Sequence, residues 1–299
     1  MSDAPRVAVY GLGNMGYLIA RRIAARMPVW VRDLDQGAME RARREFAGQP
    51  LGDETVLGAC DIVVLCLPSP AASFAVLRAI APLLPAHCVV VETSTVNPRD
   101  MREEQRILQP HGIAVVDASV LAGVSQMAAG TASLLLGGAP EALAMARPVL
   151  DAIAEKQINF GELGAGAAAK VINNAVAHAV MVVVAEAGSL ATAAGVDCDK
   201  LIGLLSDPQM GLHRPLTYRY AQRVVGDDYE GGMPLDAARK DSVLALELAQ
   251  ALDVPLFAIQ ASHSVYEIAA RAGYGRDDYA AIAKIWADWG KPAAQVKTA

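Results

Sequence analysis

Charge is scarce in this 299-residue chain: only 19% of its residues carry one, and aromatic residues are scarcer still at 5%. With 54% hydrophobic residues beside so little charge, the disordered and fibrous classes are excluded. There is no basic excess either. The formal net charge of -6 speaks against nucleic acid or an anionic membrane surface as a partner. The one arginine cluster, Arg41, Arg43 and Arg44, lies between Glu40 and Glu45 and reads as a solvated helix face. The four cysteines, Cys60, Cys66, Cys88 and Cys198, show no CxxC pairing and no histidines at metal spacing. We therefore expect free thiols in a reducing cytoplasm and no metal site. No apolar run is long: "AVMVVVA" at 179–185 is too short to span a bilayer. The opening "MSDAPRVAVYGLG" does not read as a secretion signal. What is present is the composition of a packed enzyme, in a chain long enough for two domains.

Two rhythms divide the chain. Up to about residue 160, short β-branched runs alternate with amphipathic stretches, the pattern of a parallel sheet covered by helices. The strand candidates are "RVAVY", "VWV", "DIVVLCL", "CVVVE", "IAVVDAS", "ASLLL" and "QINF". Beyond Gly166 the period becomes helical, over 166–194, 197–206, 209–225, 234–252 and 255–273. The expected architecture is a Rossmann-type α/β domain over 1–163 and an all-α domain over 164–299. A long inter-domain helix of ~43 Å joins them. That helix is apolar nearly all round, so it should be buried on most sides, and a second subunit is the natural cover. Only the C-terminal "KPAAQVKTA" reads as unstructured.

Two stretches carry chemistry. "VAVYGLGNMGYLIA" places Gly11, Gly13 and Gly16 in GxGxxG spacing between a strand and a helix, with Leu12, Asn14 and Met15 filling the loop. The glycines suit a tight turn, close approach of a pyrophosphate and helix–strand packing, and the helix N-terminus offers N–H groups to phosphate. "VWVRD" ends on Asp33, about twenty residues on, where an acidic side chain accepts from a ribose 2′-hydroxyl and repels a 2′-phosphate. Arg32 should point to the opposite side of the strand, so NAD is favoured over NADP; Asp33 as a plain turn residue is the competing reading. The second stretch is "GAGAAAKVINN" at 164–174. Lys170, Asn173 and Asn174 fall at i, i+3 and i+4 and share one side of a greasy helix. At a seam between domains that side faces a cleft, where a buried lysine has a lowered pKa and can exchange a proton with an alcohol. Against this stand a lysine snorkelling from a helix end and a structural Asn173. His178, one turn on, reads as a core histidine, and His213 or Arg219, with Tyr218 nearby, as a candidate for specificity.

Together with "CLPS", "ETSTVNP" at 92–98, "DASVLAGVSQMAAGTASLLLGG" at 117–138 and "KDSVLAL" at 240–246, these stretches resemble the β-hydroxyacid dehydrogenases. The best-known members of that family oxidise 3-hydroxyisobutyrate or reduce tartronate semialdehyde. The resemblance runs from about residue 6 to 287. It implies a Rossmann domain, a long inter-domain helix and a helical domain, usually paired with a second copy as a homodimer or homotetramer. It implies that Leu67 and Pro68 line the adenosine side of the cofactor and that Thr95 lies beside the nicotinamide ribose. Lys170 matches the catalytic lysine, Asn174 the asparagine that helps hold substrate, and Lys240 a lysine reaching the cofactor, with Asp241 beside it. Ser94 and Asn173 join the expected substrate contacts. Where members usually have a serine and two glycines gripping the substrate carboxylate, this chain has Leu121, Ala122 and Gly123. Leu121 donates nothing through its side chain, which favours bulkier or less polar 3-hydroxyacids; Ala122 narrows the approach, and backbone donors at Ala122, Gly123 and Val124 are left to serve. An imine reductase shares the implied architecture but usually has aspartate or tyrosine at the lysine's position. A catalytically dead dinucleotide sensor or scaffold is the reading from outside the enzymes.

Overall fold

The computed structural model describes residues 4–52 and 54–287. The chain divides into two compact units, residues 1–175 and 176–299. The expected "KPAAQVKTA" tail lies outside the described residues.

The first unit is built on one sheet of eight strands among the described residues. These are β1 (Val7–Tyr10), β2 (Val29–Arg32), β3 (Gln49–Pro50), β4 (Ile62–Leu65), β5 (Val89–Glu92), β6 (Ala114–Leu121), β7 (Ser133–Gly137) and β8 (Lys156–Asn159). The spatial order is β3-β2-β1-β4-β5-β6-β7-β8. From β3 to β6 all pairing is parallel; β7 turns back antiparallel against β6, and β8 pairs parallel with β7. The seven expected strands are all present. The two-residue β3 was not expected, because a polar, exposed "QP" pair carries no apolar signal. β1, β4 and β5 are buried along their whole length, as strands covered on both faces must be. Their side chains alternate between two cores: Val7 and Val9 pack on one face, Ala8 and Tyr10 on the other.

Helices α1 (Asn14–Ala24), α2 (Gln36–Phe46), α3 (Pro70–Ile80), α4 (Pro98–Leu108), α5 (Val124–Ala129) and α6 (Pro140–Ile153) follow the strands. The chain order reverses between β1 and β4, with β2 on one side of β1 and β4 on the other. That switch point is where α/β sheets bind ligands. Register places Tyr10 beside Leu65, Leu65 beside Glu92 and Glu92 beside Asp117. The loops that leave β1, β4 and β5 therefore emerge in one row.

Helix α7 (Ala165–Ala193) starts in the first unit and continues into the second. The second unit then holds α8 (Cys198–Ser206), a π-helical stretch Pro215–Val224, α9 (Leu235–Ala251) and α10 (Phe257–Ala269). The helical run expected from 209 begins only at His213, with Pro215 in its first turn, where a missing N–H costs no intrahelical bond. Glu186 of α7 accepts from Phe257, Ala258 and Ile259 N–H and caps α10. Buried Asp278 pairs with Arg219 at 3.0 Å. Two expectations for α7 fail in the single chain. Its apolar side chains are largely exposed, Ile172 at 64%, Val176 at 59% and Met181 at 63%, and His178 is exposed rather than a core residue. With "AVMVVVA" embedded in 29 helical residues, an 18-residue window of which has mean hydropathy 1.6, α7 is long and apolar enough to cross a membrane by length and composition; the short stretch taken alone is not.

Candidate functional site

The glycine loop behaves as its spacing predicts. Gly11 has φ +96°, and a Cβ there would lie 2.1 Å from the Cys66 carbonyl oxygen, so only glycine fits. A Cβ on Gly16 would lie 2.1 Å from the Gly11 carbonyl oxygen, which is the close helix–strand packing the motif requires. Gly13 is different: nothing lies within 4 Å of where its Cβ would be. The protein does not need a glycine there, and the open space is left to a ligand. It lies at the N-terminus of α1, whose first N–H groups have no intrahelical acceptor and face anions favourably.

This loop forms one wall of a cavity of about 1120 Å³ that lies wholly within the first unit. That exceeds the ~300–1,000 Å³ of ordinary small-molecule pockets and suits an extended ligand such as a dinucleotide. Gly11, Gly13, Asn14, Met15 and Gly16 line it, and so do Asp33, Leu67, Pro68, Ser94, Thr95, Ala122 and Lys170. Leu12 does not; its side chain is buried, and its N–H donates to Asp33 Oδ2 at 2.5 Å. Asp33 Oδ1 accepts from Asp35 N–H at 2.8 Å, so loop and turn both orient this carboxylate. Arg32 also lines the cavity, contrary to the expected alternation. The physical reason is that β2 stops at Arg32, and beyond the strand the two-residue period no longer applies. Among the described residues the exposed Arg32 side chain has no hydrogen bond or ion pair.

The wall contributed by β4 and β5 is stitched together by hydroxyls. Thr93 Oγ1 donates to the Leu65 carbonyl at 2.6 Å, and Ser94 Oγ accepts from Leu67 N–H at 2.8 Å. The "CLPS" and "ETST" loops are thus held as one surface. Cys66 lies between them, and burial pushes its thiol up to about 11, so it is a neutral wall residue rather than a nucleophile. The apolar face of α3, Ala72, Ala75, Val76 and Ala79, completes this side. Sequence reasoning passed over that face, although its i, i+3, i+4, i+7 spacing was there to be read.

Lys170 stands on α7 less than two turns from the helix start, and Asp117 of β6 sets where that turn begins. Asp117 Oδ1 accepts from Gly164 N–H and Oδ2 from Ala167 N–H, both at 2.7 Å. The carboxylate fits because Gly137 and Gly166 have no Cβ; one on either would come within 3 Å of it. Burial raises the Asp117 pKa, and these N–H donors pull it back down. Lys170 is half-buried, and desolvation lowers its pKa. Of the three polar residues on this stretch, Lys170 alone lines the cavity; Asn174 is half-buried beyond it and Asn173 is exposed.

The segment that departs from the family also has a defined geometry. Val120 and Ala122 line the cavity, while Leu121 and Gly123 do not. Gly123 N–H is already donated to Gln126 Oε1 at 2.8 Å, so it is not a spare donor for substrate. Lys240 and Asp241 belong to the second unit, where they form an exposed ion pair at 2.8 Å.

The residues that would hold NAD(P), an open anion-binding helix end, an acidic residue past β2 and a hydroxyl-braced wall, fit that group. Comparison with known proteins points the same way. The family model described as the NAD binding domain of 6-phosphogluconate dehydrogenase matches residues 6–164. The one described as NAD-binding of NADP-dependent 3-hydroxyisobutyrate dehydrogenase matches residues 164–286. The 2-(hydroxymethyl)glutarate dehydrogenase of Eubacterium barkeri is 26% identical over 96% of this chain and 96% of its own. The L-threonate dehydrogenase of Haemophilus influenzae is 30% identical over 94% of each. An imine reductase structure from Pseudomonas sp. shares the fold with a TM-score of 0.84 at 23% identity, covering 94% of this chain and 99% of that one.

Proposed function

The chain belongs to the β-hydroxyacid dehydrogenase family and is an NAD(P)-dependent hydroxyacid dehydrogenase; from there we propose that it oxidises a 3-hydroxyacid of the 3-hydroxyisobutyrate kind with NAD, using Lys170 as general acid/base. The supporting observation is that Lys170 lines the same cavity as the glycine loop and Thr95. The bound nicotinamide supplies the hydride acceptor. Lys170 takes the hydroxyl proton in oxidation; in reduction its ammonium returns that proton and stabilises charge growing on the carbonyl oxygen. Burial suits it to both tasks, because an unperturbed lysine, at about 10.4, stays protonated at neutral pH. The apolar Val120 and Ala122 favour substrates less polar than the smallest hydroxyacids. Asp33 supports NAD by accepting from a ribose hydroxyl. The exposed apolar side of α7 is proposed to be covered by a second copy of the chain.

The test is turnover of 3-hydroxyisobutyrate, 3-hydroxypropionate, L-serine, glycerate and longer 3-hydroxyacids by the wild type and by Lys170→Ala. The variant should lose roughly 10²–10⁴-fold in kcat while still binding dinucleotide; a sensor would be indifferent. The pH profile gives a second check. Oxidation needs the neutral amine, so its rate should rise with pH through a value below that of free lysine, and reduction should fall through the same value. Activity only on compounds without a carboxylate would refute the substrate class.

A further inference from the structure

Two glutamates that the reaction does not use are buried behind the cofactor wall. Glu92 ends β5 and Glu104 lies on α4, and both are 0% exposed. Glu92 is well supplied with donors: Ser73 Oγ of α3 donates to Oε2 and Ser94 N–H donates to Oε1, each at 2.7 Å. Glu104 has none; neither of its oxygens meets an N–H or O–H donor among the described residues. The charge acting on it most strongly is that of the equally buried Glu92 carboxyl. Two carboxyl groups can bond only with a proton between them. Two buried carboxylates would instead repel.

We propose that Glu92 and Glu104 share one proton and act as a positioning pair, holding Ser94 and the start of α3 in the shape that binds the dinucleotide. The route to the site is short. Ser94 lines the cavity, its N–H is held by Glu92, and its hydroxyl holds Leu67 N–H in the neighbouring loop. Glu92 thus ties together three pieces, the β5 loop, the β4 loop and α3. The other titratable groups facing the pair are Asp100 on α4, Asp117 on β6 and Cys66 after β4, none of them cationic. Among the described residues no cation is paired with either glutamate, so a shared proton is what neutralises the pair. Burial raises both glutamates; the donors around Glu92 hold the negative charge there, so the proton belongs to Glu104, which is pushed up to about 10. The sign follows. The pair is intact at neutral pH, and its support of the site is lost as the pH rises towards about 10.

This inference rests on dinucleotide binding in the cavity, and the test separates the two. NADH affinity is measured by fluorescence titration from neutral pH upward in the wild type and in Glu104→Gln. The amide introduced by that substitution would donate a permanent N–H to Glu92 and has nothing to titrate. The wild type should weaken on the alkaline side, by up to about tenfold per pH unit above the transition, the limit for one linked proton. Glu104→Gln should stay flat over that range. A decline that persists unchanged in the variant belongs to another group, such as Lys170, and overturns the proposal, as does a flat wild type. No NADH binding at any pH would instead overturn the assignment of the cavity. Infrared spectra read the proton without any ligand. A protonated carboxyl C=O band present at neutral pH in the wild type and lost in Glu104→Gln supports the pair; its absence from the wild type refutes it. Should Glu104→Gln fail to fold, the wild-type infrared band decides alone: its loss over the same alkaline range in which NADH affinity declines supports the pair, and a band that persists through that decline overturns it.

Discussion

Arg32 and Asp33 are adjacent on the cavity rim yet suit different dinucleotides. The carboxylate of Asp33 repels a 2′-phosphate, whereas an unpaired guanidinium attracts one. With the strand ended at Arg32, both can act on the same ribose, so NAD should be preferred and NADP tolerated. A charge-assisted hydrogen bond is worth about 1.5–3 kcal/mol. Arg32→Ala should therefore lower kcat/KM with NADP by at least about tenfold and leave the value with NAD nearly unchanged. Comparing initial rates with the two cofactors decides it, and equal losses with both would show that Arg32 does not read the phosphate. At this scale the motif residues were legible because GxGxxG encodes backbone geometry directly. The occupation of Gly123 N–H by Gln126 was not, because it depends on where the short α5 begins.

Among elements, α7 shows how a helix is aimed. Asp117 uses one oxygen for Gly164 and the other for Ala167, so it fixes the direction of the first turn and with it the position of Lys170. Asparagine has a single acceptor oxygen and must leave one buried N–H unpaired, at a cost of about 1–3 kcal/mol. Asp117→Asn should lower stability by that amount in a denaturant titration and reduce kcat more than it raises the KM for the dinucleotide. An unchanged kcat in a destabilised variant would show that Asp117 caps the helix without placing the lysine. The strands were legible from their apolar runs because burial on both faces demands such runs. The exposed β3 left no periodic trace, and the helical period over 209–225 did not tell that Pro215–Val224 would be π-helical.

At the scale of the whole molecule, the exposed Ile172, Val176 and Met181 form the outstanding apolar surface of α7. If a second chain covers them, Met181→Lys places an unpaired charge in an apolar contact, at about 3–5 kcal/mol. Sedimentation velocity should show the wild type self-associated and the variant shifted towards monomer by at least about a hundredfold in Kd, since 1.4 kcal/mol is about tenfold. A wild type that is already monomeric would remove the second copy from the account. By itself the order of residues determined the α/β-then-α plan, the phosphate-binding turn and the long helix that carries Lys170. Those follow from local rules: glycine geometry, strand burial and helical period. Tertiary structure alone decided that Arg32 shares a cavity with Asp33, that Lys170 reaches it while Asn173 does not, and that Glu92 and Glu104 meet behind Ser94. Such facts depend on where strands end and which side chains water is denied, and neither is recorded in the spacing of residues along the chain.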